Sequence, residues 1–190
     1  LASNKHYKNL KDLYVVSSAE INKLSGLKNN KSLISVVHKK NQKKESIDFS
    51  NLIIALDSVS DPGNLGTIIR IADWFNIKSI LCSKNTVDLY NSKVIQSSMG
   101  SFTRVDVFYD NLEDIMGSKD ISVFGTSTDG TDINNFEKPD KGIILFGSES
   151  QGVREHLKKY VDKWISVKKN GGAESLNVSV SVGIILHKLT

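Results

Sequence analysis

The sequence has a single cysteine, Cys82, and no stretch of the roughly 18 to 20 consecutive apolar residues that a membrane span needs. One thiol cannot close an internal disulfide, so nothing ties the chain to an oxidising compartment. Cys82 lies in the apolar stretch SILCS and is expected in the core. The first residues, LASNKHYKNLKDL, lack the apolar segment of a secretory signal, and a cytoplasmic location is the expectation. The chain starts at Leu1 instead of methionine, from which a preceding N-terminal portion is expected.

Other absences exclude classes of function. There is no GxxxxGK[ST] phosphate loop, and no GxGxxG follows the first apolar run, so ATP hydrolysis and ordinary NAD-dependent oxidoreduction lose support. His6, His38, His156 and His187 are far apart, without cysteine or carboxylate partners at ligand spacing, and no metal site is expected. Ser148 in GSESQG matches GxSxG only loosely, and no histidine and acid follow in the required order for a hydrolase triad. No internal repeat or low-complexity tract is present.

With 39% hydrophobic and 24% charged residues over 190 positions, the composition is that of one buried domain with an appendage of modest length. The net charge of +4 is unevenly spread: residues 1–48 hold ten lysines against four acids, while the remainder is slightly acidic. Such an arm can attract a polyanion such as RNA, or can be a solvated surface.

From residue 52 onward short apolar runs alternate with helix-like segments. The runs are 52–57, 79–83, 104–108, 121–126, 142–147 and 163–167, several of them apolar nearly throughout, as for strands covered on both faces of a parallel sheet. The pattern predicts an α/β domain with a mostly parallel sheet flanked by helices. Asp61 before Pro62 offers an N-cap for a helix ending near Asn76, since Leu65, Ile68, Ile69, Ala72 and Phe75 recur at helical spacing. Further helices are predicted over 92–99, 153–161 and from Leu176 toward Leu189; residues 127–141 read as loop and 39–50 as a polar, basic linker. Trp74, Phe75 and Trp164 are expected in the core or at a subunit interface rather than stacked on bases.

Three segments that follow strands carry the chemical signal, since ligands of open parallel sheets bind at the carboxyl ends of strands. They are LDSVSDPGNLGTIIR at 56–70, LFGSESQGV at 145–153 and ESLNVSVSVGI at 174–184. Their wording, order and separation resemble the three motifs of the SpoU, or TrmH-like, branch of the SPOUT methyltransferases. The first carries Asn64, Gly66 and Arg70 in an NxGxxxR pattern, the second Gly147, Glu149 and Gly152, and the third runs from Ser175 to Ile184. The resemblance covers residues 52–190.

That resemblance implies a deep C-terminal trefoil knot, an exception to the rule that chains avoid knots. It implies S-adenosylmethionine as methyl donor, S-adenosylhomocysteine as product, no metal, and a ribose 2′-hydroxyl of structured RNA as acceptor. Thr126, Gly147, Val167 and Leu176 would line the donor pocket, and a glycine suits close approach of backbone to ligand. Arg70, Asn64, Glu149, Ser175 and Asn177 would serve catalysis. A guanidinium stays protonated in proteins, so Arg70 is expected to clamp an RNA phosphate and organise the hydroxyl, with the phosphate or a water accepting the proton. Simpler readings exist for each residue: Arg70 paired with Asp73 or Glu149, Asn64 capping its helix, Glu149 a solvated loop carboxylate, Ser175 and Asn177 capping the last helix.

Residues 13–37 resemble the closing helix and strand of an L30e-like RNA-binding domain. Residues 1–48 are therefore read as a partial module of that kind plus a linker, and 49–190 as the catalytic domain. Such a module tips the expected substrate toward ribosomal RNA over transfer RNA, and the family implies a homodimer through the knot region. The competing reading is a non-catalytic RNA-binding or ribosome-assembly protein on the same fold.

Overall fold

The structure, a computed structural model, describes residues 12–26, 33–40, 46–118 and 120–190. The remaining parts of the arm and linker readings lie outside the described residues. The chain divides into two compact units, Leu1–Asn41 and Gln42–Thr190. In the first, helix α1 (Ser18–Leu24) opens with a capping box: Ser17 and Glu20 each bond the other's backbone N–H. Of the stretch 13–37, read as a closing helix and strand, the described residues hold helix α1 and no strand.

Six strands occur among the described residues of the second unit: β1 (Leu52–Leu56), β2 (Ser79–Ser83), β3 (Asp106–Asp110), β4 (Val123–Asp132), β5 (Gly142–Phe146) and β6 (Lys163–Ser166). They form one sheet in the order β3-β2-β1-β5-β4-β6, and every pairing is parallel. The chain moves outward in one direction from β1 to β2 and β3, and in the other from β5 past β4 to β6. The loops after β1 and β5 thus open at the point where the winding reverses, the usual ligand crevice of such sheets.

Alternate residues of each strand serve opposite faces. Leu52, Ile54 and Leu56 pack in one cluster with Leu65, Ile68, Ile69 and Ala72 of α2 (Pro62–Trp74) and with Val182, Ile185 and Leu186 of α6 (Val178–Leu189). Ile53 and Ala55 pack on the other face with Leu112, Ile115 and Met116 of α4 (Leu112–Ser118) and Leu157 of α5 (Glu155–Lys158). Burial on both faces explains the unbroken apolar runs, and truncating one of these leucines or isoleucines to alanine costs about 2–5 kcal/mol. Cys82 is fully buried in the first cluster.

Helix α2 starts where Asp61 predicts, with Asn64 N–H donating to Asp61 Oδ1 at 2.8 Å and Pro62 in the first turn. Its Gly66 lies against α3 (Ser92–Ser97): an added Cβ would stand 1.9 Å from Ser97 Oγ and 2.7 Å from the Val94 carbonyl.

Several predicted boundaries move. β3 begins at Asp106 rather than 104, because Arg104 is committed to Asp73 and the Val105 N–H closes a turn on Ser101 O. β4 continues through 132, so the loop predicted from 127 is strand as far as Asp132. Thr126 and Thr131 both face Ile165 of β6, and residues 127–130 bulge out between them; their polar side chains are tolerated because the bulge is solvated. The helix predicted over 153–161 shrinks to Glu155–Lys158, since Val153 is drawn into the core and Asp162 must exchange two hydrogen bonds with Val123. The last helix starts at Val178 instead of Leu176, with Asn177 as its cap. Helix α4 has no counterpart among the predicted helices. Trp74 is 84% exposed and so is not a core residue of this chain, whereas Phe75 and Trp164 are partly buried against the two clusters.

Candidate functional site

The site is assembled by three segments, the loop after β1, the loop after β5 and the approach to α6. The loop after β5 closes on itself: Ser148 N–H donates to Gly152 O (3.1 Å) and Gly152 N–H to Ser148 O (2.9 Å). This closure is what requires glycine at 147, because a Cβ there would lie 1.9 Å from the Gly152 carbonyl carbon and 2.1 Å from the Val153 nitrogen. The missing side chain lets the chain approach itself, where the sequence suggested approach to a ligand.

A cavity of about 800 Å³ opens beside this loop, within the range of small-molecule sites. All four positions expected to hold a cofactor line it: Thr126, Gly147, Val167 and Leu176. Phe146, Ile165 and Ile185 add apolar wall, the β4 bulge contributes Ser127, Thr128 and Asp129, and Lys168 and Lys169 stand on the exposed segment leading to α6. The Thr126 hydroxyl is already committed to the Leu145 carbonyl at 3.1 Å.

Among the residues expected to serve catalysis, Glu149 and Ser175 also line the cavity, while Asn64, Arg70 and Asn177 are not in its wall. Three of the five form a connected chain. Asn177 Oδ1 caps α6, accepting from Ser179 N–H (2.9 Å), the Ser179 hydroxyl (2.6 Å) and Val180 N–H (3.4 Å). With its oxygen turned to the helix, its Nδ2 donates to Asn64 Oδ1 at 3.0 Å. Asn64 Nδ2 then donates to Glu149 Oε1. The α6 cap therefore fixes the orientation of both amides and, through them, of the carboxylate. Capping and site-building are one arrangement for Asn177, whereas Asn64 is released for the chain because Asp61 does the capping.

Arg70 projects from α2, exposed, and forms no hydrogen bond or ion pair with the described residues. Both partners that the sequence offered it are engaged elsewhere. Asp73 takes a two-pronged bond from Arg104 (Nε to Oδ2 3.0 Å, terminal nitrogen to Oδ2 2.7 Å), and the hydrogen bonds from that guanidinium hold its carboxyl below the usual carboxylate range. Glu149 is engaged by Asn64. Arg70 is thus a solvent-facing guanidinium available to an anion from outside.

Sequence reasoning missed Asp57 and Arg154. Asp57, fully buried at the end of β1, receives an ion pair from Arg154 (2.6 Å) and hydrogen bonds from its Nε (2.7 Å) and backbone N–H (2.9 Å). An acid ending an apolar strand run was the available signal. Among the described residues no group of three histidines, cysteines or carboxylates could hold a metal, and no helix is long and apolar enough to cross a membrane.

Comparison with known proteins gives concordant results. A family model described as the SpoU rRNA Methylase family matches residues 51–187. The chain is 31% identical over 150 residues to the 23S rRNA (guanosine(2553)-2′-O)-methyltransferase RlmP of Bacillus subtilis (strain 168), covering 77% of this chain and 60% of that protein. Among solved structures, a putative RNA methyltransferase of the TrmH family from Porphyromonas gingivalis superposes with a TM-score of 0.71 at 31% identity, over 75% of this chain and 60% of that one. An AdoMet-bound rRNA methyltransferase from Sinorhizobium meliloti superposes with a TM-score of 0.68 at 28% identity, over 75% and 56%. The chain therefore spans about 60% of the length of the curated relative RlmP.

Proposed function

The chain belongs to the SpoU rRNA Methylase family, and from that membership we propose that it transfers a methyl group from S-adenosylmethionine to a ribose 2′-hydroxyl of structured RNA, releasing S-adenosylhomocysteine. The observation that carries the proposal is one cavity lined by the second and third motif segments, with Asn64 of the first motif joined to them by hydrogen bonds with Asn177 and Glu149. Ribosomal RNA is the favoured substrate, in keeping with the relative RlmP, and the cytoplasm the place of action. The basic arm, read as part of an L30e-like module, would add affinity for RNA backbone.

The cavity fits the proposed donor in size and character: apolar walls from Phe146, Ile165 and Ile185, main chain at Gly147, and side chains of both signs for a zwitterionic ligand. Thr126, Gly147, Val167 and Leu176 would hold it. When bound, S-adenosylmethionine supplies a methyl group on a sulfonium, already an activated leaving group. What remains for this chain is to orient the acceptor hydroxyl and let one proton leave. Arg70, positively charged and without a partner among the described residues, binds an RNA phosphate next to the acceptor ribose. Asn64 and Glu149, held at one angle by the α6 cap, orient the ribose, and Ser175 lies in the cavity lining. The proton passes to the phosphate or to a water. The deep C-terminal knot belongs to this reading.

We also propose a homodimer through the knot region. Trp74 on α2 and Val180 (49% exposed) and Ile184 (37%) on α6 leave an apolar surface on two helices that pack together. Sedimentation of an Ile184→Glu variant should give a monomer where the parent gives a dimer; a monomeric parent would remove the proposal.

The function is tested by incubating the protein with labelled methyl donor and total RNA from a strain lacking its gene, then mapping the modified site. A 2′-O-methyl mark at one position is the expected result. No transfer, with no binding of S-adenosylmethionine by calorimetry, would leave the non-catalytic RNA-binding reading.

A further inference from the structure

The pair Asp57–Arg154 lies outside the cavity wall and outside the Asn177–Asn64–Glu149 chain, and the proposed chemistry makes no use of it. Its connections are specific. Asp57 N–H donates to the Phe146 carbonyl at 2.8 Å, directly before the loop 147–153. Its carboxylate accepts from the Arg154 backbone N–H at 2.9 Å, directly after that loop, and from the Arg154 guanidinium at 2.6 and 2.7 Å. Both feet of the loop that carries Gly147 and Glu149 are therefore tied to one residue. The same residue begins the segment that leads through Asp61 to Asn64.

Stability alone is a poor reason for such a pair. Removing a carboxylate fully from water costs several kcal/mol, and an apolar pair of similar volume commonly stabilises a fold as well or better. What the polar pair adds is direction: a guanidinium and a backbone N–H fix the carboxylate in one orientation. We infer that Asp57 and Arg154 are a positioning pair, a strut that sets the 147–153 loop against the segment after β1, so that Glu149 meets Asn64 and the cavity keeps its shape. The inference rests on the methyl-transfer reading. It predicts a combined fault, since the strutted loop both lines the cavity and carries Glu149.

The test uses the full chain with S-adenosylmethionine and the RNA mapped above, reading single-turnover rate, S-adenosylhomocysteine affinity by calorimetry and melting temperature. In the Asp57→Asn/Arg154→Met double variant no buried charge is left unpaired, and the amide oxygen that replaces the carboxylate can still accept from the backbone N–H. We expect it to melt within a few degrees of the parent while rate falls about 10- to 100-fold, the usual penalty for misplacing a reacting group by about 1 Å. Cofactor affinity should fall about tenfold, or about 1.4 kcal/mol. Arg154→Lys, which keeps the charge and loses the fork, should fall between, and it carries the test if the double variant unfolds. Parental rate and affinity in folded variants would overturn the inference, as would losses that only track the unfolded fraction. A parent that neither binds S-adenosylhomocysteine nor methylates RNA would instead overturn the underlying reading.

Discussion

Along the cavity wall the Thr126 hydroxyl is committed to a strand carbonyl, Gly147 has no side chain, and Val167 and Leu176 offer alkyl groups. From Glu149 in that same wall, side-chain bonds lead out to Asn64 and Asn177, and Arg70 faces solvent from the helix that carries Asn64. The first region depends on where the backbone runs, the second on which atoms its side chains end in. The wall should therefore be sensitive to changes that displace the chain, and the polar region to changes that keep the chain in place and remove a functional group.

Arg70→Ala is the largest test of that division. Methyl transfer should fall about 100- to 1000-fold, the range for losing one charge-stabilising donor, while calorimetric affinity for S-adenosylhomocysteine stays at the parental value. Equal losses in both would erase the distinction. Asn64→Ala should lower the rate about 10- to 100-fold without lowering the melting temperature, because Asp61 caps α2. Asn177→Ala should lower the rate similarly and also destabilise the fold by about 1 kcal/mol, because its oxygen caps α6. Indistinguishable melting curves for the two variants would contradict the shared role assigned to Asn177. On the wall, Gly147→Ala should weaken cofactor affinity about tenfold by forcing the Ser148–Gly152 closure open. Thr126→Val should be the mildest, within about threefold of parental affinity, since the hydroxyl is already spent on the Leu145 carbonyl.

The same contrast explains how much could be read before the structure. The strands were visible because a sheet covered on both faces demands apolar residues without interruption, and α2 because Asp61 and Pro62 mark its start. Thr126, Gly147, Val167 and Leu176 were carried over by position from the family resemblance, and all four line one cavity. The β4 bulge was not visible, because Ser127, Thr128, Asp129 and Gly130 have the composition of a turn, and only the pairing of Thr131 with Ile165 returns them to the sheet. Helix α4 had a signal, Leu112, Ile115 and Met116 at helical spacing behind Asn111, but a helix of only seven residues between two apolar strand runs is easily absorbed into them. The order Asn177 to Asn64 to Glu149 was out of reach, since it joins residues 113 and 85 positions apart in the chain.

The double pairing of Ile165, with Thr126 on one side of the β4 detour and Thr131 on the other, separates the length of that detour from the register of the sheet. Residues can be inserted or deleted between those two threonines without sliding either end of the strand. Lineages that share this architecture can thus remodel one lip of the pocket by small indels there, retuning what enters it while the hydrogen-bonded framework underneath is inherited unchanged.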